Sequence, residues 1–413
     1  MSHLKLYLTF ITFITHVNSD SSCVDFKASK KLKQFHSSRK NFLIVTNTSC
    51  SINYFDLSTV NRFTLSVIGK SEILKNLDLS HNAISNIESG TFDEFVALEN
   101  LNVRNNFLRT LGDIELQTLS ALTILDLSSN LLEYVDIKAF AKLKNLLWLS
   151  LSDNCLINVL LVMPFISLHS LDLSHNRING LPQLVGISSI TALDISYNRI
   201  SDLTQIEIVR NLVKSISSLN MAGNQLRHTN QLQSFVNLVE LNLAENPIDY
   251  SVSENFIRQS VAALKKLNLT NTNLTTLNIF RHVNCENFEE LSFAHNSIDV
   301  TDFDELLKFS NIKHLQFQQK FCREFDSYRA IRRNFKSLKF VTILYDDTPS
   351  CACVRRNEML FKFESIDFTT DWSVCSSAST AAAVREYVHM QWSNVGVALA
   401  IFYFIYVLQQ QIE

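Results

Sequence analysis

Three histidines, His81, His175 and His295, each stand one residue ahead of an asparagine or its equivalent in a recurring segment. Imidazole is a common metal ligand, so the alignment raises a metal centre. The segments that carry them are several copies apart. At about 4.8 Å per strand, one ion could not touch two of these rings. Gly69-Lys70-Ser71 echoes the end of a phosphate-binding loop, but Thr64 stands where the loop's first glycine is needed. The chain has no HExxH, no GxSxG and no metal-type CxxC. Serine, histidine and aspartate are plentiful, yet no spacing assembles a triad. Seven glycines and a net charge of −3 leave little for phosphate cradles or for electrostatic steering of nucleic acid. No catalytic, cofactor or metal site follows from these residues. The expected class is a binding protein.

The elements that would position any site recur from Leu74 to about Tyr345. The clearest copy is LKNLDLSHNAI, Leu74 to Ile84, with apolar residues at Leu74, Leu77, Leu79 and Ile84 and an asparagine at Asn82. This resembles the leucine-rich repeat signature. The asparagine returns at Asn106, Asn130, Asn154, Asn176, Asn198, Asn224, Asn246 and Asn296, with Thr272 in its place once, at spacings of 22 to 26 residues. Degenerate copies start at Ile312 and Leu338. The resemblance implies an α/β leucine-rich repeat solenoid, a curved parallel-sheet horseshoe of about twelve repeats with disulfide-stabilised N- and C-terminal caps. Each LxL forms a short strand with leucines inward. The asparagine amide, both donor and acceptor, satisfies the turn off the strand. Thr272 offers less and makes a weaker rung. Phe92, Phe140 and Phe235 fill the far side. No repeat can bury its apolar face alone, so stacking supplies stability.

Strand residues between the leucines are free of core duty, so a ligand would read them. The position inside each LxL is mostly polar, as at Asp78, Asp126, Asp172 and Asp194, which keeps the face soluble. Ile124 and Trp148 break the polar rule in the same slot of adjacent repeats. They are the candidate binding face; lateral strand packing is the plainer alternative. Glu240, Lys266 and Glu290 share that slot further on as alternating charges.

The termini frame this array. Residues 1–19 carry an early lysine, then an apolar run from Leu6 to Val17 and a small-residue cleavage site, a secretory signal peptide. Residues 20–73 form the N-terminal cap, with Cys23 and Cys50 expected to pair. Its basic cluster, including Lys30, Lys31 and Lys33, is a solvated surface or a contact for an anionic glycan. Residues 74–346 are the repeat array and 347–375 the C-terminal cysteine-rich cap. Cys322, Cys351, Cys353 and Cys375 supply two bridges, with the choice between Cys351 and Cys353 open. Cys155 and Cys285 lie about five repeats apart, roughly 24 Å, beyond the reach of one disulfide. Sequons mark Asn47, Asn268 and Asn273 for glycosylation. Residues 376–394 are a small-residue linker, and 395–408 a hydrophobic membrane-anchor segment. That run fits a short transmembrane span, a glycolipid signal or a soluble tail.

The leader, the 22–26-residue repeats, the degenerate last copies and the cysteine-rich segment after them resemble the mosquito leucine-rich immune proteins. The membrane-attached or coil-less type fits, since no C-terminal heptads follow. That resemblance implies innate-immune recognition or complement-like control outside the cell, with a thioester-containing complement-like protein or a glycan as partner, no nucleic acid, and a homo- or heterodimer. The second expectation is a homophilic cell-adhesion molecule.

Overall fold

The computed structural model describes residues 42–45, 49–53, 59–60, 71–112, 116–162, 167–185, 187–203, 210–253, 263–281, 283–298, 308–319, 336–345, 351–363 and 365–370. The chain forms two compact units, residues 1–242 with 246–263, and residues 243–245 with 264–413.

In the first unit a hairpin of β1 (Phe42–Val45) and β2 (Ser49–Asn53) opens a sheet that is otherwise parallel. It continues through β3 (Asn76–Asp78), β4 (Asn100–Asn102), β5 (Ile124–Asp126), β6 (Trp148–Ser150), β7 (Ser170–Asp172), β8 (Ala192–Asp194), β9 (Ser218–Asn220) and β10 (Glu240–Asn242). Every neighbour pair keeps one register, with Leu77, Leu101, Leu125, Leu149, Leu171, Leu193, Leu219 and Leu241 side by side. The second unit repeats the plan with β11 (Lys266–Asn268), β12 (Glu290–Ser292), β13 (His314–Gln319), β14 (Phe340–Tyr345) and β15 (Asp367–Thr369). A helix, Cys351–Phe363, lies between the last two strands in sequence. Among the described connections several carry a single 3₁₀ turn, such as Ile137–Phe140 and Leu277–Phe280, and others a short α-helix, such as Arg210–Ser215. Among the described residues the fold is strand-rich, with little helix.

The period of two explains the strands. Leu125 and Leu127, or Leu149 and Leu151, point inward and are essentially fully buried, each contributing about 2 kcal/mol of burial. Phe92 and Phe140 are sealed at 0% exposure, and Phe235 is buried too. In the second unit Phe280, Phe288 and Phe309 meet edge to face at 5.1–6.3 Å, the geometry aromatic quadrupoles favour.

The asparagines close the turns as their chemistry dictates. Asn130 Nδ2 donates to the carbonyls of Val103 (3.0 Å) and Leu127 (3.1 Å), and its Oδ1 accepts the Leu108 N–H at 3.1 Å. Asn106, Asn154, Asn176, Asn198 and Asn224 repeat the pattern. At Thr272 one hydroxyl donates to Leu269 O (2.8 Å) in place of the forked amide.

Among the described residues Cys50 is a free thiol at 2% exposure, and Cys23, the partner expected for it, lies outside them. Cys50 occupies the inward position of β2, in register with Leu77, and acts as a core residue. Burial, with the nearby Asp78 carboxylate, pushes this thiol up to about 12. Cys285 is also free and buried, its S–H 3.5 Å from Val283 O, and Cys155 is free and half-buried. In the C-terminal segment Cys353 is disulfide-bonded and 8% exposed. Cys23, Cys322 and Cys375, the sequon at Asn47, the leader 1–19, and segments 376–394 and 395–408 lie outside the described residues. Among the described residues no helix is long and apolar enough to cross a membrane.

Two expectations follow. Asn130→Ala strands the Leu108 N–H in the interior, while Val103 O and Leu127 O still accept from the Nδ2 of Asn106 and Asn154; the lost partner costs about 2 kcal/mol of local stability. Hydrogen exchange at the Leu108 amide should accelerate accordingly, and an unchanged rate would show that the side chain is dispensable. Thiol labelling of the native protein should mark Cys155 ahead of Cys50 and Cys285, which react only on unfolding; recovery of Cys50 in a disulfide-linked peptide would contradict the core role.

Candidate binding face

On the outward side of the first unit's sheet the residues alternate with the buried leucines. Trp148 stands directly opposite Ile124 in the ladder, one strand apart. Ile124 is 42% exposed and Trp148 half-buried. The repeat register makes this adjacency inevitable, since the two residues occupy one slot. The structure adds Leu147, 43% exposed and bonded through its backbone to Thr123 and His169. Sequence reasoning misses it because it lies outside the strand motif. Its signal is an apolar residue just before the strand, where neighbouring repeats have Lys75, Glu99 and His169. Ile124 and Trp148 thus form an apolar pair on the outward face, with the exposed Leu147 next to Trp148 in the chain.

The polar position inside each LxL has a definite structural task. The Oδ1 of Asp78, Asp126, Asp172 and Asp194 accepts the backbone N–H two residues on, at 2.9–3.0 Å. Asn102 and Asn220 do the same. This local side-chain bond satisfies an N–H where the chain leaves the strand. The slot is thus less free for ligand reading than sequence reasoning allows.

The histidine slot is a backbone feature. In the first unit His81, Asn105, Ser129, Asp153, His175 and Tyr197 all have φ between 52° and 57°, and Gly223 has 65°. A left-handed residue here turns the chain into the asparagine. His175 stacks on Tyr197 at 4.5 Å and 12°. The Tyr197 ring in turn lies so close to Gly223 that a Cβ there would meet it at 2.4 Å. His81 Nε2 lies 3.2 Å from Asn105 Nδ2. The three histidines stay on separate repeats.

In the second unit the alternating charges pair laterally. Glu289 lies between Lys265 (3.0 Å) and Lys313 (2.5 Å), and Lys266 pairs with Glu290 at 3.6 Å. The hydrogen bonds from Lys313 and then Lys265 hold the Glu289 carboxyl down to about 2. Further along, His314 and the exposed Phe340 meet at 4.5 Å. Asn268 is half-buried with Oδ1 accepting from Thr270 N–H, while Asn273 is exposed at φ 62°.

Residues 120–160 match one family model described as Leucine rich repeat, and residues 167–186 match another, Leucine Rich Repeat. It is a leucine-rich repeat protein. The chain is 38% identical over 145 residues to Tsukushi of Xenopus tropicalis, covering 33% of this chain and 41% of that protein. It is 34% identical over 128 residues to Mimecan of Gallus gallus, covering 30% and 42%. The leucine-rich repeat chain thus spans about two fifths of the length of these curated relatives. Among solved structures it is similar to the TLR13–ssRNA13 complex (TM-score 0.56, 21% identity, 78% of this chain and 50% of that one). It is also similar to the leucine-rich repeat domain of APL1 (TM-score 0.50, 23% identity, 69% and 76%). At these identities the likeness is one of fold.

The charge ladder predicts a pH signature. A carboxyl held down in the folded chain contributes stability above its ordinary value of 4.5, and that contribution is lost as pH falls through about 2. Carboxyl NMR titration should place Glu289 near 2, and Lys313→Met should move it upward; an unmoved midpoint would show that the lysine is not the cause.

Proposed function

We propose that this protein works outside the cell as a binding protein in innate-immune recognition or complement-like control, and that it engages a protein partner through the face around Trp148. The observation that carries the binding site is the pairing of the exposed Ile124 with the half-buried Trp148 on the outward sheet face, where the same slot of the other first-unit strands β3–β10 holds polar or small residues. A tryptophan beside exposed aliphatics is the composition of an interface hot spot, because it buries a large rigid area at low entropic cost. The extracellular setting rests on the apolar leader and the three sequons. The immune role rests on the sequence resemblance to mosquito leucine-rich immune proteins, and it makes a thioester-containing complement-like protein the first partner to test.

The test is a pull-down with tagged protein from extracellular fluid, with the captured proteins identified by mass spectrometry. Trp148→Ala should weaken capture by about 2 kcal/mol, roughly thirtyfold in Kd, while the circular dichroism spectrum stays unchanged. Unchanged affinity in a folded variant removes Trp148 from the site. Recovery of self or of cell-surface receptors alone would move the protein to adhesion.

A further inference from the structure

Around the apolar cluster the outward face carries charge that the fold does not use. At the third residue of each strand the backbone needs only one acceptor for the N–H two residues on. Asn102 and Asn220 supply it while neutral. Asp126, Asp172 and Asp194 supply the same bond and bring a negative charge as well. Their second oxygens differ. That of Asp172 accepts from Ser150 Oγ at 3.2 Å, and that of Asp194 from Asn220 Nδ2 at 2.8 Å. The second oxygen of Asp126 has no partner among the described residues.

The placement of these carboxylates matters. β6, which carries Trp148, lies between β5 with Asp126 and β7 with Asp172. The two carboxylates therefore flank the tryptophan strand at about 10 Å from each other, two strand spacings. Across β5 to β8 the outward positions hold no lysine or arginine. Arg104 follows β4 on the neighbouring repeat, and the backbone N–H of His169 donates to Leu147 O. Lys75, further along, is already paired with Glu99 at 2.7 Å. An apolar centre with uncompensated carboxylates on both sides is complementary to one kind of surface.

We propose that the occupant of this face is a basic protein segment, one that seats an apolar side chain against Ile124 and Trp148 and places lysine or arginine side chains against Asp126 and Asp172. This rests on the proposed binding face and adds the chemistry of its partner. Charge pairs of this kind raise association rate and select against acidic partners. Guanidinium is well matched to Asp126, whose open oxygen can take a second donor.

The experiment uses the full chain and a phage-displayed random peptide library, panned on the wild-type protein and counter-selected on Trp148→Ala. Enriched peptides are then titrated against wild type and against Asp126→Asn/Asp172→Asn, with a glycan array run in parallel. The double variant keeps both turn acceptors, as Asn102 and Asn220 do natively, so it tests charge without removing the fold's bond. Expected are Trp148-dependent peptides rich in lysine or arginine with an aromatic or aliphatic residue, an affinity loss of tenfold or more in the double variant, and a shallower salt dependence. Trp148-dependent peptides that are neutral or acidic, or affinity within twofold in the double variant, overturn the basic partner but leave the binding face standing. Enrichment that never depends on Trp148, or capture confined to glycans, overturns both.

Discussion

The structure depends on one side chain doing the work of a missing strand neighbour. Where the chain leaves each strand, carbonyls and an N–H of two repeats point into the interior with no sheet to receive them. A buried polar group without a partner costs more than most contacts return. The carboxamide answers this because it is the small side chain that donates twice and accepts at once. Asn130, Asn154 and Asn176 each tie their own turn to the preceding strand's turn in this way. The repeat period follows from it. A rung can lengthen from 22 to 26 residues on the far side, provided the asparagine returns to its place.

That constraint explains why so much of the fold is legible in the sequence. The inward leucines and the asparagine sit at fixed offsets, so residue type and spacing alone set the register. The adjacency of Ile124 and Trp148 is a consequence of the same register, and the ladder places them opposite one another. Leu147 is less legible because the residue before the strand belongs to no motif position. The histidine slot takes its meaning from the backbone. His81, His175 and Tyr197 share a left-handed φ, and only conformation, not residue type, unites the slot.

Cys50 shows that composition alone does not place a cysteine. A cysteine near a predicted cap invites pairing with the other cysteine of the cap, and secretion favours the bridge. Yet the flanking serines alternate around Cys50 in a strand pattern, and the hairpin β1–β2 puts its side chain in the leucine column. A thiol there behaves as a small apolar group. The sheet also begins earlier than the first clean repeat, because β2 needs only one inward residue to extend the ladder. Pattern matching requires a full motif, whereas hydrogen bonding requires only an edge.

The same economy separates structural from functional residues on the outward face. Polar residues there are not equivalent. An Asx side chain at the strand's third position is fixed by the N–H it accepts, so its presence says nothing about a ligand. Its charge does, because asparagine meets the structural demand at Asn102 and Asn220. Likewise a buried leucine is required, while an exposed Leu147 or Ile124 is not, since polar residues occupy those columns in neighbouring repeats. What the solenoid does not require of a residue is where selection for binding can be read, and in the first unit that residue set is Trp148, its two apolar neighbours and the carboxylates beside them.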